Sequence, residues 1–206
     1  MLLAIDTSAG TSVAVVDRDG GVLADVMETD TRRHAEVIGV LVSAALDAAG
    51  VAPAALSGVV AGMGPGPFTG LRVGIAAAQA FAFGLGRPLL PVVSHDAVAF
   101  ERYGAGHEGP LLVVTDARRR ERYWTAYSGV EASGLPVRFD GPGLDKPDAL
   151  PHPGVSRFDA EAVSAGRLGT LAELRFAAGL PFDADEPLYL RSPDVTPSAV
   201  LKRVTA

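Results

Sequence analysis

Gly62-Met-Gly-Pro-Gly-Pro-Phe-Thr-Gly-Leu-Arg-Val-Gly74 decides how the rest of the chain is read. It comes after a short apolar strand (Val59, Val60, Ala61) and opens into a long apolar segment ending near Gly86, with only Arg72 and Gln79 strongly polar. Glycine allows backbone angles and approaches that a side chain blocks, and proline fixes the turn while removing donors. Free N–H groups at a helix start can hold an anion, so a phosphate cradle involving Gly64 and Gly66 is one reading. A strand-to-helix connector fits the same residues, and both readings stand at this point.

Outward from this turn, helical patterns flank it. Thr69 to Gly86 and Arg33 to Ala49 are apolar around most of their circumference, the second stopping at Gly50 and Pro53. A helix apolar that far round needs burial on more than one side. Gly70, Gly74 and Ala78, four apart, form a small-residue ridge open to another helix. Together with Leu71 on that helix and His34, Ile38 and Leu41 on the earlier one, it is the expected partner interface.

The first thirty residues read as strands Leu2–Asp6, Thr11–Asp17 and Val22–Glu28, with a hairpin turn at Arg18–Gly21. Asp6, Thr7 and nearby Gly10 could face a phosphate or hydrated Mg²⁺, or form a turn satisfied by local N–H groups. Arg87 to Ser94 is expected as a strand and His95 to Tyr103 as a helix. Gly104 to Pro110 marks a boundary, giving halves 1–103 and 104–206. Leu112–Asp116 then echoes Leu2–Asp6, and Tyr123–Tyr127 echoes Val13–Asp17, so two related halves facing a cleft are expected. Residues 130–158 read as short strands and loops, Ala160–Gly179 as a helix, Pro187–Arg191 as a strand, and the tail beyond Pro193 as frayed.

Composition narrows the classes. The chain has 206 residues, 48% hydrophobic, enough for a real core. It has no cysteine, so neither disulfides nor thiolate metal sites carry the fold. Met1–Asp6 reads as a buried strand rather than a leader, and Val73–Leu85 as too short for a bilayer, so a soluble cytoplasmic protein is expected. A formal charge of −6 leaves no overall basic footprint for nucleic acid. The Arg118–Arg122 turn beside Tyr123 and Trp124 is the local exception, read either as a nucleic-acid contact or as a solvated turn. His95-Asp96 and His107-Glu108 lack a nucleophile partner, and no Gly-x-Ser-x-Gly elbow occurs.

Asp6-Thr-Ser, His34, Gly64-Pro-Gly-Pro-Phe-Thr-Gly-Leu-Arg-Val-Gly74, Asp116-Ala-Arg-Arg and Pro187-Leu-Tyr-Leu-Arg191 stand in the order seen in bacterial TsaB, or YeaZ, proteins. The resemblance covers nearly the whole chain. It implies an α/β, actin/Hsp70/sugar-kinase-like (ASKHA) superfold with two related βββαβα-type halves. It also implies a non-catalytic paralogue of TsaD, which transfers threonylcarbamoyl to N6 of an adenosine in tRNA. The partners so implied are TsaD, the ATPase TsaE and a second copy through the same helices, with tRNA met indirectly and no membrane. No resident cofactor is expected, and the resemblance leaves room for ATP or ADP with Mg²⁺ only at the junction of a complex. The catalytic paralogue's metal site uses two histidines four apart, a spacing that puts both rings on one face. Here position 38, four beyond His34, holds Ile38, so His34 is expected at a helix start or interface rather than on a metal. Arg118 and its neighbours, in a turn without glycine, would attract an anion while blocking close backbone approach. The rival reading is a small ATPase or kinase using Asp6 and the Gly64–Gly70 loop.

Overall fold

Alternation along two short strands sets the layering. In the computed structural model, which describes residues 1–191, β1 (Leu2–Asp6) is buried on both faces. Leu2 and Ala4 point into one core and Leu3 and Ile5 into another, as the two-residue period of a strand requires. β1 pairs antiparallel with β2 (Thr11–Asp17), which pairs with β3 (Gly21–Glu28). β4 (Gly58–Gly62) and β5 (Leu89–Val92) extend the other edge in parallel, giving the order β3-β2-β1-β4-β5.

The second sheet repeats this plan in reduced form. β6 (Leu111–Asp116) pairs antiparallel with β7 (Arg122–Val130) and parallel with β9 (Ser156–Asp159), and β8 (Pro136–Asp145) forms the outer edge. The order β8-β7-β6-β9 matches β3-β2-β1-β4, so the echo of Leu2–Asp6 in Leu112–Asp116 marks equivalent central strands. In the first half α1 (His34–Ala49) lies between the third and fourth strands. In the second, that place holds an irregular segment whose Leu150 and Val155 cover Leu112, Val114, Trp124 and Ala126.

Four helices complete the layers. α1 and α2 (Phe68–Leu85) cover one face of the first sheet, on a core of Leu3, Ile5, Val13, Leu46, Leu71 and Ile75. Both end at glycines in the left-handed region, Gly50 at φ 65° and Gly86 at φ 60°, conformations that glycine takes without steric cost. α3 (Ser94–Gly104) and α4 (Ala165–Ala177) lie between the sheets, where Leu2, Ala14, Val98, Val113, Leu168 and Leu171 share one core. α4 belongs to the second half in sequence but packs on β1 and β2 of the first. Asp25 of β3 accepts from Ser164 Oγ at 2.7 Å and from Gly166 N at 3.2 Å, fixing the start of that helix. The division at residues 104–110 therefore separates two sheets, while the core between them is common to both.

Several boundaries differ from expectation. α2 is an 18-residue helix, long and apolar enough to cross a membrane by length and composition alone. Its inner face is spent on the first sheet, through Leu71, Ile75, Ala78 and Ala82. Pro187–Arg191 is not a strand but part of an irregular strap running back over the first half. The expectation for residues beyond Pro193 lies outside the described residues.

A buried ionic cluster joins the halves. Asp96 of α3 accepts from Tyr127 Oη at 2.8 Å and pairs with Arg138 of β8 and Arg175 of α4, each at 3.2 Å. Both arginines also bind Asp183 of the strap, at 2.6 and 2.7 Å. Beside it His95, fully buried, contacts Thr125 Oγ1 at 2.8 Å and Thr115 Oγ1 at 2.9 Å. Removing one member of such a cluster strands the opposite charges and costs about 3–5 kcal/mol.

The two neighbours respond oppositely to pH. Burial holds the His95 imidazole down at about 3, against 6.5 ordinarily, so its contribution is present above about 6.5 and lost as pH falls toward 3. Burial pushes the Asp96 carboxyl up to about 6 from 3.8, so its contribution is present below 3.8 and lost as pH rises through 6. Between these values the slopes oppose. Asp96→Asn removes one of them, so its urea midpoint should fall steadily from pH 6.5 to 4, more steeply than in the parent. Parallel pH profiles for the two proteins would refute this assignment.

Candidate functional site

The end of β1 and the Gly-rich turn form one interlocked unit. Asp6 is only 1% exposed. Its Oδ1 accepts from Ser8 N at 2.8 Å and Ser8 Oγ at 2.6 Å, and its Oδ2 from Ser94 Oγ at 2.5 Å. Ser94 sits at the start of α3 and also receives Gly64 N at 3.0 Å, while its own N–H donates to Gly64 O at 2.8 Å. Burial pushes the Asp6 carboxyl above its usual range, against the pull of the Ser8 and Ser94 bonds. Thr7, equally buried, donates from Oγ1 to Gly70 O at 2.8 Å.

The glycines of the turn exist for this contact. A Cβ at Gly62 would stand 1.9 Å from Asp6 Oδ2, and one at Gly74 would stand 2.1 Å from Thr7 Oγ1. Neither distance is attainable, so a side chain at either position would push the turn off β1. Gly70, Gly74 and Ala78 therefore face inward. The expectation that they form a bare ridge for a partner is corrected, because Thr7 and the first sheet already occupy that face. Leu71 is likewise fully buried, and Ile38 and Leu41 are half-buried against the same core.

His34 does open α1, as expected of a helix-start residue, and is 6% exposed. Its Nδ1 contacts Thr11 Oγ1 at 2.8 Å, and burial, then the charge of Arg118, lowers its pKa. Among the described residues no group of three or more His, Asp or Glu side chains is placed to hold a metal.

The opposite wall is the β6–β7 turn. Arg118, Arg119 and Arg120 have φ of 61°, 50° and 62°, three consecutive side-chain-bearing residues in the left-handed region, at about 1–2 kcal/mol each. Asp116 binds Arg122, and Arg191 of the strap binds Glu121 and donates to Ala117 O at 3.1 Å. Arg118 crosses the cleft between the halves, donating to Thr31 O at 3.3 Å and Thr31 Oγ1 at 3.2 Å. This bridge divides the cleft into chambers of about 630 Å³ and about 320 Å³. Of the residues expected at a phosphate, Gly66 and Arg118 line the larger chamber, while Asp6, Thr7 and Gly64 line neither.

Sequence reasoning missed the strap's role. Leu188 N donates to Met63 O at 2.9 Å, the Tyr189 ring lies 4.7 Å from Phe68, and the Arg72 guanidinium sits 3.8 Å over Phe68. The strap thus clamps the Gly-rich turn from outside while Ser94 holds it from within. The signal available was the serine just before a helical pattern, a recognisable helix start.

Two sheets of matching strand order, helices between and outside them, and a first-half aspartate turn at the mouth of an inter-half cleft define an actin/Hsp70/sugar-kinase-like protein. Similarity to known proteins narrows this. The model for the tRNA N6-adenosine threonylcarbamoyltransferase (TsaD) family matches residues 7–156. The Escherichia coli tRNA threonylcarbamoyladenosine biosynthesis protein TsaB is 30% identical, over 80% of this chain and 70% of its own. An uncharacterized protein of Mycobacterium tuberculosis is 40% identical, over 97% of this chain and 95% of its own. The crystal structure of a Pseudomonas aeruginosa protein described as similar to peptidase YeaZ superposes with a TM-score of 0.78, at 29% identity, covering 92% and 99% of the two chains. The chain belongs to the TsaB/YeaZ family.

The interlock makes a direct prediction. Gly74→Ala should lower stability by about 1–3 kcal/mol in chemical denaturation. Thr7→Ala, which removes the atoms in the way, should recover part of that loss in the double variant. Strict additivity of the two single changes would show that Gly74 and Thr7 do not meet as described.

Proposed function

We propose that this protein is a non-catalytic partner subunit of the tRNA threonylcarbamoyladenosine machinery, docking on a TsaD-type transferase through the outer faces of α1 and α2. One observation carries the docking surface: large apolar side chains stand exposed on both helices, Val40 at 69% and Phe83 at 89%. Around them small exposed residues recur, Ala35, Gly39 and Ala44 on α1 and Ala76, Ala80 and Gly84 on α2, among the polar Glu36, Ser43, Asp47, Arg72 and Gln79. A face combining small residues with a projecting aromatic suits close helix-to-helix packing, with Phe83 as an anchor. The interface consists of these outward residues, adjoining Ile38 and Leu41, rather than the inward Gly70–Ala78 ridge.

Absence of catalysis is supported by the state of Asp6. A carboxylate whose oxygens already accept three hydrogen bonds, walled off by Gly62 and Ser94, has no open side for Mg²⁺ or a nucleophile. The rival ATPase or kinase reading depends on that group. TsaE and nucleotide join at the junction with the transferase, a second copy competes for the same helices, and tRNA is met through the assembled complex in the cytoplasm.

Phe83→Asp should abolish co-elution with the TsaD partner while leaving the melting temperature of the isolated chain within a few degrees. Unchanged complex formation would sink the docking assignment. Purified alone, the chain should release no phosphate from ATP above a no-protein control. Turnover lost on Asp6→Asn would instead establish the enzyme reading.

A further inference from the structure

We propose that Arg72 is the charged anchor of the docking face: it takes an Asp or Glu carboxylate from the helical surface of the transferase, and Tyr189 of the strap holds its guanidinium in place. The role rests on the docking through α1 and α2 proposed above and names the chemistry that the partner must bring. Arg72, Ala76, Gln79 and Phe83 follow one another at steps of four, three and four, so they share one stripe of α2. All four are exposed. Arg72 is the one charged side chain among the 18 residues of that helix, in line with the projecting Phe83.

An arginine on a helix surface has many rotamers to lose, yet this one is already placed. Its guanidinium sits 3.8 Å over the Phe68 ring and 5.8 Å from the centre of the Tyr189 ring, and its Nε donates to Tyr189 Oη at 3.4 Å. The two rings lie 4.7 Å apart. Tyr189 is fixed in turn by its neighbours, Leu188 N donating to Met63 O at 2.9 Å and Arg191 binding Glu121. Stacking on ring faces leaves the edge of a guanidinium, with its N–H groups, open to an acceptor. No anion supplies one: among the described residues no carboxylate pairs with Arg72, and the first turn of α2 holds no acid. Arg32 and Arg33 beside α1, by contrast, pair with Asp30 and Glu36.

The surroundings select the acceptor. A nucleic-acid backbone is held by several cations along its track, whereas Arg72 shares its stripe with Ala76, Gln79 and Phe83. A guanidinium at the edge of an apolar patch loses its water when a protein partner covers it, and then requires a carboxylate opposite. Because the stack orders the side chain before association, less freedom is lost on binding.

The test titrates the full chain with its TsaD-type partner by calorimetry at low and high salt. Arg72→Met, which keeps the packing on Phe68 and removes the charge, should weaken binding by about tenfold, and Arg72→Glu should weaken it further. Arg72→Gln provides the same charge loss should the methionine variant fail to fold. The parent complex should loosen as salt rises, the Arg72→Met complex much less. Tyr189→Ala, which keeps the charge and frees the side chain, should weaken binding by a smaller factor. Alanine replacement of the partner's exposed acids should find one whose loss matters against the parent and not against Arg72→Met. Phe83→Asp separates this role from the docking on which it rests. Binding abolished by Phe83→Asp but kept by Arg72→Met, with the parent's salt dependence, leaves the docking face standing and overturns the role of Arg72. Binding unchanged by Phe83→Asp overturns the docking itself. A short single-stranded RNA that binds the isolated chain and is lost from Arg72→Met would identify the anion as nucleic acid and overturn the role as well.

Discussion

A single buried carboxylate holds the first half of this molecule together. Asp6 lies at the end of the central strand, and its donors come from near and far along the chain: Ser8 two residues on, Ser94 at the start of α3. Burying an acceptor group without donors costs several kcal/mol, so the Gly-rich turn, α2 and α3 must all sit where Ser94 can reach. Gly64 completes the circuit by exchanging hydrogen bonds with the same serine. What looks in outline like a phosphate cradle is occupied by the protein's own side chains.

That occupation has consequences at a distance. Here the first aspartate turn is filled. The second is tied down by Arg122 and by Arg191, and Asp96, Arg138, Arg175 and Asp183 clamp α3, the second sheet, α4 and the strap together. The shared core of α3 and α4 adds a second tie between the two sheets. The two halves are thus tied through one shared core and one ionic cluster, with the cleft left as space between them.

Much of this was legible in the residues. The strands Leu2–Asp6 and Thr11–Asp17 emerge with their expected bounds, because apolar runs ended by Asp and Gly leave little choice. The repeat between Leu2–Asp6 and Leu112–Asp116 reappears as two sheets of the same order. The spacing of Gly70, Gly74 and Ala78 correctly gave a stripe of small residues. It could not give the direction of that stripe, because α2 is apolar on every side and a helical period fixes only which residues share a face. The Asp6–Ser94 bond spans 88 positions, and the strap's contacts with Met63 and Phe68 are longer-ranged still. No local pattern encodes such pairings, and the strap carries them without regular secondary structure of its own.

The character of α2 links these observations. One stripe of its inner face is bare, because Thr7 presses against Gly70 and Gly74, while Leu71 and Ile75 fill the core beside it. Its outer face is free of that constraint, yet between Arg72 and Gln79 no strongly polar residue interrupts it, and Phe83 projects almost fully exposed. This is why the helix satisfies a length-and-composition criterion for crossing a membrane while one face is built into a protein core. An exposed phenylalanine on an otherwise smooth helix gains about 1.5–3 kcal/mol on burial, and α1 presents Val40 in the same manner. Folding of the isolated chain leaves that gain unused. In the proposed complex, burial against another helix recovers it, and the exposed Gly39, Ala76, Ala80 and Gly84 leave room for close approach.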